Sequence, residues 1–203
     1  MARIETMAEL RNHYVAAKGR AVDKELQRLE KHSRRLIELS PFLILGTMGA
    51  DGLTDVSPRG EAPGFVQVID DETVAIPDRP GNNRLDTLGN ILGNPAVALI
   101  FLIPGMDEVL RINGFAEIRD DDDLRQRFAV KGKLPATVLV VKIKQLYLHC
   151  PKAIMRAGLW DAATHIDRKS LPTLGRMIAD QIDSAAPTEG QDEMVARYKA
   201  QLY

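Results

Sequence analysis

Apolar segments recur at short intervals through the middle of the chain, at residues 42–48, 53–56, 65–69, 73–77, 97–103, 109–118 and 137–149. Runs of this length, rich in β-branched and aromatic residues and punctuated by turn formers, predict β-strands. The tip Asp51-Gly52 joins two of them and Asp70-Asp71 joins two more, so most neighbours are expected to be antiparallel. Outside the strands the period changes. Residues 22–39 carry Leu26, Leu29, Leu36 and Ile37 among many charges, which predicts an amphipathic helix ended by Ser40 and Pro41. Leu85, Leu88 and Leu92 predict a helix over residues 84–93, and a shorter one is expected near 121–129. Past Cys150 the period is helical again, with Leu171, Leu174, Ile178 and Ile182 on one stripe and a polar break at 186–190. Residues 191–203 read as a loose helical tail or as a segment that packs on a partner. The expected fold class is mainly β (α+β): an antiparallel sheet or barrel with flanking helices at both termini. Its parts form one domain, with an N-terminal helix at about 22–39, a barrel at about 42–149 and a helical extension at about 152–203.

Composition narrows the partners. The chain has 203 residues, 27 basic against 28 acidic, so no global charge favours nucleic acid or an anionic membrane surface. Its longest apolar runs are too short to cross a bilayer, and acidic residues near the N-terminus do not suit a signal peptide; a soluble cytoplasmic protein is expected. The single cysteine, Cys150, leaves no internal disulfide, and the four histidines are scattered without ligand spacing, so no metal site is expected.

Candidate chemistry begins in residues 76–95, IPDRPGNNRLDTLGNILGNP. A strand end, a Pro-Gly-Asn-Asn turn and a helix start lie together, with Asn82 or Asn83 as the expected cap and Arg79 and Arg84 bracketing the turn. Unpaired N–H groups at a helix start and two guanidinium groups suit a phosphomonoester. The same residues also read as a loop followed by a surface helix with solvated arginines. In TDVSPRGEAPG, residues 54–64, Ser57 and Arg59 share one face of an extended chain and could grip one anion; the alternative is a turn that happens to hold an arginine. Arg111 lies mid-strand with Val109 and Asn113 on its face. His149 and Cys150 are adjacent, point to opposite faces of a strand and make a poor catalytic pair.

Four blocks in this order, DVSPRGEAPGF, IPDRPGNNRLDTLGNILGNP, ALIFLIPGMDEVLRINGFAEI and YLHCPKAIMRAGLWD, resemble the pyridoxamine 5′-phosphate oxidase-related flavoproteins, in particular a bacterial FMN-dependent subgroup. The resemblance covers residues 42–161 and implies an antiparallel FMN-binding split β-barrel, a homodimer, and FMN in a groove between the subunits. Carried over by position, Ser57 and Arg59 lie on the strand beneath the flavin, and Pro77 and Asp78 follow the strand that borders the ring. Arg79, Asn83 and Arg84 fall where the family binds phosphate, although Leu85 stands where the oxidases have a lysine. Arg111 lies in the strand through which a partner subunit contributes to the flavin site. Trp160, the sole tryptophan, would stack on the flavin, cover substrate, or simply pack in the protein.

The implied activity is that of an FMN-dependent oxidoreductase acting on an unidentified small molecule by hydride transfer at flavin N5, with no obvious acid or base in the chain. The alternatives are a non-catalytic flavin-binding or stress-related protein on the same barrel, or a relative using deazaflavin or haem. The tail DEMVARYKAQLY departs from the C-terminal segment with which the true oxidases hold the substrate phosphate.

Overall fold

The computed structural model describes residues 3–203. After the short helices α1 (Met7–Arg11) and α2 (Arg20–Asp23), the chain bends without regular structure, apart from one bridge at Leu26, into α3 (Lys31–Leu39). The single helix expected over residues 22–39 is therefore broken. Leu26 forms an isolated bridge with Leu146, each N–H donating to the other's carbonyl at 2.9 and 2.7 Å, and Leu29 enters the core from outside any helix. Two leucines at helical spacing are here two separate anchors of an irregular lead-in. α3 starts afresh where the Glu30 carboxylate accepts the N–H groups of His32 and Ser33 at 2.8 and 2.7 Å and the Ser33 hydroxyl accepts from Glu30 N–H.

The strands are β1 (Phe42–Met48), β2 (Thr54–Gly60), β3 (Gln67–Asp70), β4 (Thr73–Asp78), β5 (Ala96–Leu102), β6 (Val109–Arg119) and β7 (Thr137–His149). Between them lie α4 (Asp86–Gly93) and α5 (Asp122–Gln126). All pairs are antiparallel, in the order β2-β1-β5-β6-β7-β4-β3. β2 extends well past the expected residue 56, through Pro58, which an edge strand tolerates. Leu43 and Leu45 of β1 share one buried cluster with Val74 and Ile76 of β4, although β5, β6 and β7 stand between those strands in the sheet. The sheet must therefore roll up. Its margins, β2 and β3, are not hydrogen-bonded to each other, so the result is an antiparallel split barrel, mainly β with flanking helices. α3 supplies Leu36 and Ile37 to the core and α4 supplies Ile91.

The outer face of β2, β1 and β5 is also apolar. Ile44 pairs with Pro58 and Ile100, and Gly46 with Val56 and Ala98, and Val56 is 65% exposed. Beyond the barrel, α6 (Lys152–Ala157), α7 (Leu174–Gln181) and α8 (Gln191–Ala200) bury only Ala179 among them. The expected stripe Leu171, Leu174, Ile178 and Ile182 is present but exposed. Tyr203 lies back against the barrel, its ring 5.6 Å from the Arg79 guanidinium and its carbonyl accepting from Lys133 Nζ.

The β6–β7 register shifts between Asn113 and Gly114, where the two backbones come so close that a Cβ on Gly114 would collide with the Lys142 carbonyl. Gly114→Ala is expected to cost about 3 kcal/mol, because backbone rather than a flexible side chain must move. Urea unfolding checks this: a midpoint equal to wild type would mean that the bulge relaxes freely.

Candidate functional site

A cavity of about 820 Å³ opens where the rolled sheet fails to close. It lies between β2, the end of β4, the loop from Arg79 to Leu85, the first turn of α4 and the start of β7. Two ion pairs span this seam. Arg79 donates from Nε and Nη2 to the two Glu61 carboxylate oxygens at 2.7 and 3.0 Å, and Nη2 also donates to the Phe128 carbonyl at 2.8 Å. Their side chains are 16% and 8% exposed, so the Arg79 guanidinium, expected from sequence to bracket a phosphate, is here paired within the protein. Nearby, Arg59 Nη2 lies 3.9 Å from Asp78 Oδ1.

Arg59 is less fully used. Its Nη1 donates to the Pro58 carbonyl at 3.0 Å, but Nε is buried and has no partner. The Thr137 hydroxyl, opposite Asp78 in the β4–β7 ladder, is likewise buried and unpartnered. Orphaned polar atoms of this kind are costly unless something else satisfies them, and the two residues that carry them both line the cavity. Burial pushes the Asp78 carboxyl above the usual carboxylate range, with the Arg59 charge pulling partly the other way.

The phosphate-like end is built differently from expectation. Neither Asn82 nor Asn83 caps α4; the cap position is Leu85, in the left-handed region at φ 60°, with no side-chain hydrogen bond. Asn82 Oδ1 instead accepts the Arg84 N–H at 3.1 Å, and Asn83 is also left-handed at φ 58°. Two non-glycine residues in this region store strain, and the first-turn N–H groups of α4 are left without a capping side chain. Arg84 is 72% exposed, with Nε donating to Asp86 at 2.8 Å, so it can swing to a ligand. Below the turn, Ser57 Oγ lies 3.0 Å from Thr87 Oγ1, which donates to Asp55 at 3.1 Å. Asn90 Nδ2 donates to Thr47 Oγ1 at 3.0 Å and ties α4 to β1.

Ser57, Arg59, Pro77, Asp78, Arg79, Asn83 and Arg84 thus line one cavity. Arg111 and Trp160 do not. The Arg111 guanidinium lies 5.2 Å from the Tyr147 ring, and the Trp160 indole N–H donates to the Met106 carbonyl at 2.9 Å. Asp55, Glu61, Thr87 and Thr137 were missed from sequence. Asp55 shares the period-two face of Ser57 and Arg59 and was legible on that ground, whereas nothing local marks Thr137.

Fold and cavity define a split-barrel protein with a cofactor-sized pocket in its seam. A sequence model of the pyridoxamine 5′-phosphate oxidase family matches residues 29–150, and the chain belongs to that family. Among solved structures it is similar to HupZ of Group A Streptococcus, at 17% identity over 59% of this chain and 93% of the other, with a TM-score of 0.49. A provisionally assigned pyridoxamine 5′-phosphate oxidase from Lactobacillus delbrueckii is 23% identical over 61% of this chain and 98% of its own, with a TM-score of 0.48. General stress protein 26 from Bacillus anthracis is 16% identical over 56% and 88%, with a TM-score of 0.42. Identities of this order say nothing of ligand or reaction. No curated protein matches by sequence. Among the described residues no helix is long and apolar enough to cross a membrane.

Removing one member of the Glu61–Arg79 pair leaves a buried charge alone. Glu61→Ala is expected to lose about 3 kcal/mol in urea unfolding, and the double change Glu61→Leu with Arg79→Met to lose much less. Equal losses would show that packing, not charge pairing, holds the seam. Asp78 sets a pH dependence whose sign follows from its raised value. The native chain keeps this proton at a pH where the unfolded chain has lost it, so stability falls as pH rises from about 3.9 through the folded value. Asp78→Asn removes that fall; parallel stability curves for variant and wild type would contradict the assignment.

Proposed function

We propose that the seam cavity holds FMN, and that the chain is an FMN-dependent oxidoreductase acting on a small molecule as a homodimer. The observation that carries this reading is the pair of donor groups in one cavity, the uncapped first turn of α4 beside Arg84 and the Arg59 guanidinium, whose Nε has no partner in the protein. The first suits a phosphate, since backbone N–H groups and an exposed guanidinium lie together there. The second suits the electron-rich edge of a flavin ring, where a fixed positive charge favours the reduced form. Family membership supports the class of cofactor, and the cavity volume is in the range of cofactor sites. Bound FMN would supply hydride transfer; the protein's part is position and electrostatics. Arg84 and α4 hold the phosphate, Asn83 shapes the loop that presents them, Arg59 faces the ring, and Pro77 and Asp78 border it. Arg79 acts at one remove, by fixing the seam.

The bare outer face of β2, β1 and β5 supports the dimer, because an apolar sheet surface of this kind is normally covered. Arg111 and Trp160, outside the cavity of their own chain, are assigned to the partner's cavity across that interface.

An absorbance spectrum of the purified protein, with release of the chromophore, tests the reading. Flavin bands and released FMN are expected; deazaflavin or haem would be recognised by spectrum, and a colourless protein that does not bind added FMN would overturn the cofactor. Consumption of reduced nicotinamide with turnover separates an oxidoreductase from a flavin-binding protein without catalysis. Arg84→Ala is expected to weaken FMN retention about tenfold or more without moving the unfolding midpoint. Unchanged flavin occupancy in that variant would remove Arg84 from the phosphate site.

A further inference from the structure

We infer that Asp55 and Thr87 are positioning residues that fix Ser57 as a hydrogen-bond acceptor for a ribityl hydroxyl of FMN, and not as a phosphate ligand. This rests on the FMN reading above. The argument is a count of protons. Thr87 is 5% exposed and its hydroxyl has one proton, which goes to the Asp55 carboxylate at 3.1 Å. What Thr87 turns toward Ser57, 3.0 Å away, is a lone pair, so the Ser57 proton is spent on Thr87. Ser57 Oγ then presents only lone pairs to the cavity it lines. A phosphate dianion also presents only lone pairs, so the two do not match, and the Asp55 charge at the end of the relay adds to the mismatch. A sugar-alcohol hydroxyl brings the missing proton.

The placement agrees with the polarity. Thr87 is the second residue of α4, so the relay begins just inside the helix start where the phosphate is expected. Ser57 therefore reaches the group next to the phosphate. Arg59, two residues further along β2 and about 7 Å away, is left to face the ring. The cavity would thus read a flavin in the order phosphate, polyol, ring.

The test is titration of wild type, Ser57→Ala, Thr87→Val and Thr87→Ser with FMN and, by displacement, with riboflavin, which lacks the phosphate. Ser57→Ala is expected to raise Kd for both flavins by the same factor, about fivefold, while the visible bands of bound flavin stay in place. Thr87→Val should weaken both in the same direction, and Thr87→Ser, which keeps the hydroxyl, should restore them. Weakening of FMN alone would put Ser57 on the phosphate, shifted bands would put it on the ring, and unchanged affinities would remove it from the site; each overturns the inference and leaves the FMN reading standing. A wild type that binds neither flavin overturns both. Ser57 sits on an edge strand and its loss disturbs no core packing, so that variant decides the matter even if Thr87→Val fails to fold.

Discussion

The two sides of the rolled sheet share an apolar core but no ladder of backbone hydrogen bonds at their margins, and a buried ion pair bridges the gap that is left. Glu61 leaves β2 and Arg79 leaves β4, at opposite sides of the strand order, and their bidentate pair sets how far apart those strands stand. A buried pair of this kind adds little against two well-packed apolar residues, but it tolerates no half-measures, since either charge alone is stranded. The Phe128 carbonyl, which completes the coordination of Arg79, extends the constraint to the segment after α5.

The barrel was legible because its strands carry their own signals. β1 and β7 begin and end where the apolar runs do, and each turn is marked by Asp or Gly. What failed were the places where tertiary pairing overrules local spacing. Leu26 and Leu29 fit a helix by period, but the free edge of β7 and the core claimed them separately. Asn82 and Asn83 have the right chemistry for a helix cap, but the loop uses one for its own turn and bends the other into the left-handed region, so that the helix starts at Leu85. Part of the cavity lining was legible by the same logic. Ser57 and Arg59 declare themselves by alternation on one strand, while Thr87 and Thr137 join them only through packing between elements distant in sequence.

Charge alone would misdescribe the cavity. Arg59, Arg79 and Arg84 face Asp55, Glu61, Asp78 and Asp86, so the lining is not a basic pool. Selectivity must come from how the charges are partitioned. Arg79 and Glu61 cancel each other, Asp55 is occupied by Thr87, and Arg84 with the start of α4 and the idle Nε of Arg59 remain as donors. A ligand with one anionic end and a long neutral body fits this partition better than a compact polyanion, which would meet carboxylates wherever it lay.

Pro58 gives the open seam a permanence that packing could not. Any strand approaching β2 along its free side would find no N–H at Pro58 and a carbonyl already taken by Arg59. At that position a closing strand would find no backbone partner on β2, which works against annealing of the two margins. The seam is thus a doorway in the wall of the barrel, reached without any strand having to unzip, since no ladder joins its two sides.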